Sequence, residues 1–153
     1  MSDSVEKMYF EDFVPGLVIE CGSHTVEEAA IVDFASKFDP QTFHTDADKA
    51  KDSIYGGLIA SGWHTVSIMM GQMVRGYVGR SSSMGSPGVD AVRWLKPVRP
   101  GDTLTVRTHV REAIPSTSKP DRGVVKSRIE ATNQDGEVVA YIEGMGMFGR
   151  RPA

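Results

Sequence analysis

"GGLIASGWHTVSIMMGQMVRG" (Gly56–Gly76) contains no Asp or Glu, and its only cation is Arg75. The run is too long for one strand, so a helix is predicted, opening at Gly57–Leu58. Leu58, Ile59, Trp63, Val66, Met69, Met70 and Met73 are its expected buried residues. They point to several sides, as in a helix wrapped by a sheet rather than one lying on a surface. Ser61, Gly62, His64, Ser67, Gly71 and Gln72 interrupt the apolar run and make it too polar to span a bilayer.

The chain that follows changes period. "SMGSPGVDAVRWLKPV" (Ser83–Val98), "DTLTVRTHVREAI" (Asp102–Ile114), "GVVKSRIEATNQ" (Gly123–Gln134) and "EVVAYIEGMGMFGR" (Glu137–Arg150) are predicted strands. Alternation is clear in Leu104, Val106, Thr108 and Val110, and again in Val124, Lys126, Arg128 and Glu130. "RPGDT" (Arg99–Thr103) and "NQDGE" (Asn133–Glu137) read as turns, the Asp-Gly pair suiting a hairpin. "PSTSKPDRG" (Pro115–Gly123) reads as a long, mobile polar connection.

Before the long helix, "LVIECGSHTV" (Leu17–Val26) is a predicted first strand. "TVEEAAIVDFASKF" (Thr25–Phe38) is a helix in which Thr25 and Glu28 have capping-box spacing. Ile31, Phe34, Ala35 and Phe38 would form its buried face. Strand, helix, loop, long helix and an antiparallel meander make an α+β chain. A sheet of about five strands curling around one apolar helix is the hotdog arrangement, here expected as a single domain over residues 1–153.

Composition sets bounds. The 153 residues are 40% hydrophobic and 24% charged, with a net charge of -3, which gives no footprint for nucleic acid. Arg150-Arg151 reads as a solvated tail. The N-terminal "MSDSVEKMYFEDF" lacks the apolar core of a signal peptide, so a soluble, cytoplasmic protein is expected, with no membrane partner. One cysteine, Cys21, excludes an intrachain disulfide and reads as structural. The methionines at 69, 70, 73, 145 and 147 read as core filler.

"FDPQTFHTD" (Phe38–Asp46) places Asp39, His44 and Asp46 in a loop between predicted helices. Pro40 keeps Asp39 out of the α region, so the first helix should end there. "TDADKAKDS" (Thr45–Ser53) can form a short helix capped by Thr45 or Asp46. Asp39 and His44 five residues apart cannot meet on a strand or a helix, but a turn brings them together. His44–Asp46 has no further ligands at recognisable spacing, so no metal is expected. His64 and Trp63 read as packing residues, and His24 and His109 have no partner in view.

These residues resemble the MaoC-like dehydratases, the family of the R-specific enoyl-CoA hydratases. Its motif runs roughly Asp-x-Asn-Pro-(aliphatic)-His-x-Asp. Asp39, His44 and Asp46 match, while Gln41, Thr42 and Phe43 replace the asparagine, proline and aliphatic residue. Gly56-Gly57-Leu58 is similar to the family's His-Gly-(Met or Leu) turn, and "RWLKPVRPGDTLTV" (Arg93–Val106) to its strand-turn-strand. The resemblance runs from about Gly16 to Phe148.

It implies hydration of an enoyl thioester, with coenzyme A as the expected carrier, without a dissociable cofactor. Asp39 and His44 would be the catalytic pair, sharing acid and base work on one water. The Gly57 backbone N–H would be the oxyanion donor, Gly56-Gly57 letting the thioester approach the backbone. Gln41 and Thr65 could orient the water or the pair. A homodimer, or an oligomer of dimers, is implied. Two rivals keep the fold. A thioesterase would need a carboxylate on or near the long helix, which has none. A non-catalytic acyl-thioester-binding protein would hold the pair out of working geometry.

Overall fold

The computed structural model describes residues 6–153. Alternation governs the sheet, because successive side chains on a strand face opposite sides. In β3 (Thr103–Pro115) Leu104, Val106, Thr108 and Val110 are buried, as expected. In β4 (Arg122–Thr132) the inward set is Val125, Ser127, Ile129 and Ala131, which sends Val124, Lys126, Arg128 and Glu130 to the other face. With β1 (Val18–Thr25), β2 (Val89–Trp94) and β5 (Val138–Gly149) they form one antiparallel sheet in the order β1-β3-β4-β5-β2. The sheet and the long helix against it make the hotdog fold.

The β4–β5 hairpin turns at Asn133–Glu137, where Gly136 takes a φ of 80° that other residues avoid. β3 and β4 reach into the predicted mobile connection and leave only residues 116–121 between them, closed by the Ser116 N–H on the Arg122 carbonyl (3.1 Å). β2 is shorter than its predicted span, since Pro87 and Pro97 flank it and neither can donate to a ladder.

The first helix, α1 (Glu28–Phe38), starts later than a Thr25 cap would require. Thr25 ends β1, and its hydroxyl bonds Thr103 across the ladder at 2.9 Å; Glu27 occupies the cap position without a side-chain bond. The helix stops at Phe38, where the Asp39 N–H reaches the Ala35 carbonyl (2.8 Å) and Pro40 forbids continuation. Ile31 and Ala35 are buried, but Phe38 is 71% exposed, its ring tilted against Phe34 at 5.1 Å, so the core face is narrower than predicted. Two one-turn helices follow, α2 (Thr42–Thr45) and α3 (Ala47–Ala50). Asp46 caps α3 by accepting the Asp48 and Lys49 N–H groups, both at 3.1 Å.

The long helix α4 runs Gly62–Gly76 and does not open at Gly57–Leu58. Leu58, Ile59 and Ala60 form instead a buried extended strip. The Ile59 N–H bonds the Phe43 carbonyl (3.1 Å), and the Ala60 N–H bonds the Val98 carbonyl (2.8 Å). His64, Thr65, Ile68, Met69 and Gln72 form the buried face of α4. Trp63 and Met70, expected inside, are 57% and 46% exposed, because the sheet covers only one side of the helix. Met69, Phe13, Ile31, Leu104, Val106 and Val139 are among the largest fully buried side chains, and each such side chain contributes about 1.5–3 kcal/mol on burial.

Cys21 is buried, and burial pushes its thiol up, which suits a structural residue. Two other expectations change. Arg150 and Arg151 are not a free tail, since they pair with Glu11 (3.2 Å) and Asp12 (2.7 Å). His109 does have a neighbour, with its Nε2 3.6 Å from the Glu130 carboxylate.

Candidate active site

The stop at Asp39 and the single turn of α2 bring the expected acid and histidine together. The Gln41 N–H bonds the Asp39 carbonyl (2.8 Å) and the His44 N–H bonds the Gln41 carbonyl (2.9 Å), so the backbone doubles back within a few residues. His44 is 4% exposed. Its Nδ1 lies 2.7 Å from the Ile59 carbonyl. A carbonyl only accepts, so Nδ1 donates its hydrogen there, and Nε2 is the nitrogen turned to Asp39. That Nε2 stands 3.3 Å from Asp39 Oδ2.

The carboxylate is itself held on both oxygens. Gln41 Nε2 donates to Oδ1 (2.8 Å) and the Ser61 hydroxyl donates to Oδ2 (2.7 Å). Burial acts to raise the Asp39 carboxyl, but the Gln41 and Ser61 donors, with the His44 ring, outweigh it and hold the group below its ordinary value. Asp39 is therefore ionised at neutral pH.

A cavity of about 550 Å³ opens beside the pair, with Asp39, His44, Gly62, Trp63, Trp94 and Val98 among its walls. Gln41 and Thr65 line it as well. Gly57 does not. It lies in the bend ahead of the extended strip, and its α-carbon faces the Arg99 side chain. The reason is the late helix start. Ser61 is the N-cap, its Oγ accepting the Trp63 N–H at 3.3 Å, so the unpaired N–H groups of the first turn begin at Gly62. Among the described residues the Gly62 N–H has no hydrogen-bond partner, and Gly62 lines the cavity. The Trp94 indole lies directly on its α-carbon, where no side chain would fit. Trp63 and Trp94 meet edge to face at 5.2 Å on the rim.

Ser61 and Gly62 escaped the sequence reading because they looked like polar breaks in an apolar run. The usable signal was a Ser at the cap position followed by helical spacing at His64, Ile68 and Gln72.

A second cavity, about 350 Å³ and mostly apolar, lies between α4 and strands β4 and β5, with Met70, Met73, Tyr77 and Ile142 in its walls. Burial pushes the Tyr77 hydroxyl up to about 12, so it stays neutral. Among the described residues no three His, Cys, Asp or Glu side chains converge as metal ligands, and no helix is long and apolar enough to cross a membrane.

Comparison with known proteins adds to this geometry. The model of the MaoC-like domain matches residues 15–133. A MaoC-like dehydratase from Rhodospirillum rubrum superposes with a TM-score of 0.90 at 40% identity, covering 95% of this chain and 99% of the other. A monoamine oxidase regulatory protein from Archaeoglobus fulgidus superposes at 0.88 with 31% identity, covering 97% and 99%. The Bacillus subtilis protein YdeM is 30% identical over 83% of this chain and 89% of its own length. The hotdog sheet, the Asp-His turn and these matches agree, and the chain belongs to the MaoC-like dehydratase family.

Proposed function

We propose that the protein reversibly hydrates a trans-2-enoyl thioester of coenzyme A to the 3-hydroxyacyl thioester. The carrying observation is the Asp39–His44 pair, 3.3 Å apart, in a cavity that Gly62 also lines at the start of α4. A water held between Asp39 and His44 attacks C3. Its O–H bond breaks and the proton goes to His44 Nε2, while the C2=C3 electrons move to the thioester, whose oxygen becomes an enolate. The Gly62 N–H, at the positive end of α4, faces that oxygen; such a donor is worth about 3–4 kcal/mol elsewhere. The imidazolium returns the proton to C2, so one water is added in all. Asp39 stays ionised and offsets the charge on the ring.

The substrate would enter by the rim of Trp63 and Trp94. A thioesterase is less well supported, since α4 offers no carboxylate. Incubation with crotonyl-CoA tests the reading. Loss of enone absorbance without free thiol is expected; free thiol would make the protein a thioesterase, and no change would leave a binding module.

A homodimer belongs to the same proposal. β2 is an edge strand, and its end residues Val89 and Trp94, with Leu95 just after it, are exposed, as are Trp63, Met70 and Val74 on α4. An open apolar edge invites pairing. Sedimentation at micromolar concentration should give a dimer or larger, and an active stable monomer would refute it.

A further inference from the structure

We propose that Ser61 is a positioning residue, a strut that fixes the Asp39 carboxylate to the end of the helix from which the Gly62 N–H projects. The inference rests on the hydratase reading for its kinetic consequence. Asp39 and Gly62 belong to separate segments, one at the exit of α1 and the other at the start of α4. Ser61 is fully buried, and its hydroxyl makes two bonds of opposite sense. It donates to Asp39 Oδ2 at 2.7 Å and accepts the Trp63 N–H at 3.3 Å. A hydroxyl is suited to this, since one group supplies both a donor and an acceptor. The Gly62 N–H belongs to the peptide that Ser61 itself begins. The acid that holds the water and the donor that holds the thioester oxygen are thus joined through one side chain.

A cap alone would not need this. Ser61 could accept from Trp63 with its hydrogen turned to any acceptor, yet the hydrogen is committed to the carboxylate that faces His44. The same oxygen of Asp39 takes both neighbours, so loss of the Ser61 donor frees Oδ2 to turn away from the ring. Gln41 cannot replace it, because its amide holds the other oxygen.

The test is Ser61→Ala, with Ser61→Thr as the conservative variant. Ser61→Ala should lower kcat by about tenfold to a hundredfold, the range of a hydrogen bond to a charged group, with KM nearly unchanged. It should also raise the midpoint at which the Asp39 carboxyl titrates, since Asp39 loses a donor to its ionised form. Ser61→Thr, which keeps the hydroxyl, should recover most of the rate. A Ser61→Ala enzyme with normal kcat and an unmoved Asp39 midpoint would overturn the proposal. If Ser61→Ala does not fold, Ser61→Cys, which keeps the volume but donates weakly, takes its place under the same criteria. Titration of the Asp39 carboxyl carbon by NMR needs no substrate and separates this idea from the hydratase reading. A higher midpoint in the variant supports the strut even if the wild type hydrates no thioester, and an unchanged midpoint removes it.

Discussion

Replacing Asp39 by Asn changes a charge and two hydrogens while keeping the shape. Gln41 Nε2 already donates to Oδ1 at 2.8 Å, so the amide oxygen belongs on that side and the NH₂ group takes the place of Oδ2. There it stands 3.3 Å from His44 Nε2 and 2.7 Å from the Ser61 hydroxyl, which can rotate to accept. The amide then donates to the free nitrogen of His44 and occupies the lone pair that the water needs. Turnover should fall by at least a hundredfold, which is about 2.7 kcal/mol of activation free energy. Folding should change by only ~1 kcal/mol, because one hydrogen bond is kept and the other is reversed. The pH dependence has a sign of its own. Asp39 lies below its ordinary value in the folded protein, so its contribution to stability is present above about pH 4 and fades as pH falls through the folded value. The stability difference between wild type and Asp39→Asn should narrow over that acidic range. Enone absorbance at neutral pH gives the rate and circular dichroism melts give the stability. A variant within fivefold of wild-type turnover, on a substrate the wild type uses well, would refute the assignment of Asp39.

Gly62→Ala would place a Cβ 2.5 Å from Trp94 Nε1 and 2.7 Å from Cδ2, so the half-exposed indole must swing aside. Turnover should fall about tenfold or more, and Trp94→Ala in the same chain should restore part of it, a non-additivity that a double-mutant cycle detects. His64 is held below its ordinary value by burial and then by His24, so the unfolded chain binds more protons. Its contribution is complete above about pH 6.5 and is lost as pH falls from there toward the folded value; His64→Phe, which keeps the stack on Phe34, should flatten urea-derived stability over that interval. Met69→Ala empties the middle of the core and should cost about 2–5 kcal/mol in the same urea assay.

The strands were legible because alternation at Leu104, Val106, Thr108 and Val110 admits one face only, and the Asp-Gly turn sets where the last hairpin folds. The Asp39–His44 meeting was legible for the same kind of reason: Pro40 ends a helix, and the spacing of the two groups demands a turn. The start of α4 was not. Leu58, Ile59 and Ala60 are apolar in a helix and equally apolar in a buried extended strip, and only the hydrogen bonds to Phe43 and Val98 decide between them. With the later start, the first unpaired N–H of the helix falls at Gly62, and the proposal moves there from Gly57. Trp63 and Met70 were misplaced because hydrophobicity does not tell a face covered by the chain's own sheet from one left open. Thr25 satisfies the rule for a cap, but a cross-strand partner, Thr103, claimed it first.

The strip at Leu58–Ala60 has a further consequence. Ile59 grips the backbone of Phe43 and the ring of His44, while Ala60 grips Val98. Residues 46–57 leave and rejoin the fold at these fastened points, are seated between them by the buried Ala50 and by Arg99 on the Tyr55 carbonyl, and bring Tyr55 to the cavity wall. Substitution at its exposed positions, Lys51, Asp52 and Ile54, is expected to reshape the doorway while Ala50 keeps the segment seated. Under the proposed function, the Tyr55 wall is where a redesign of acyl preference is expected to leave Asp39 and His44 in place.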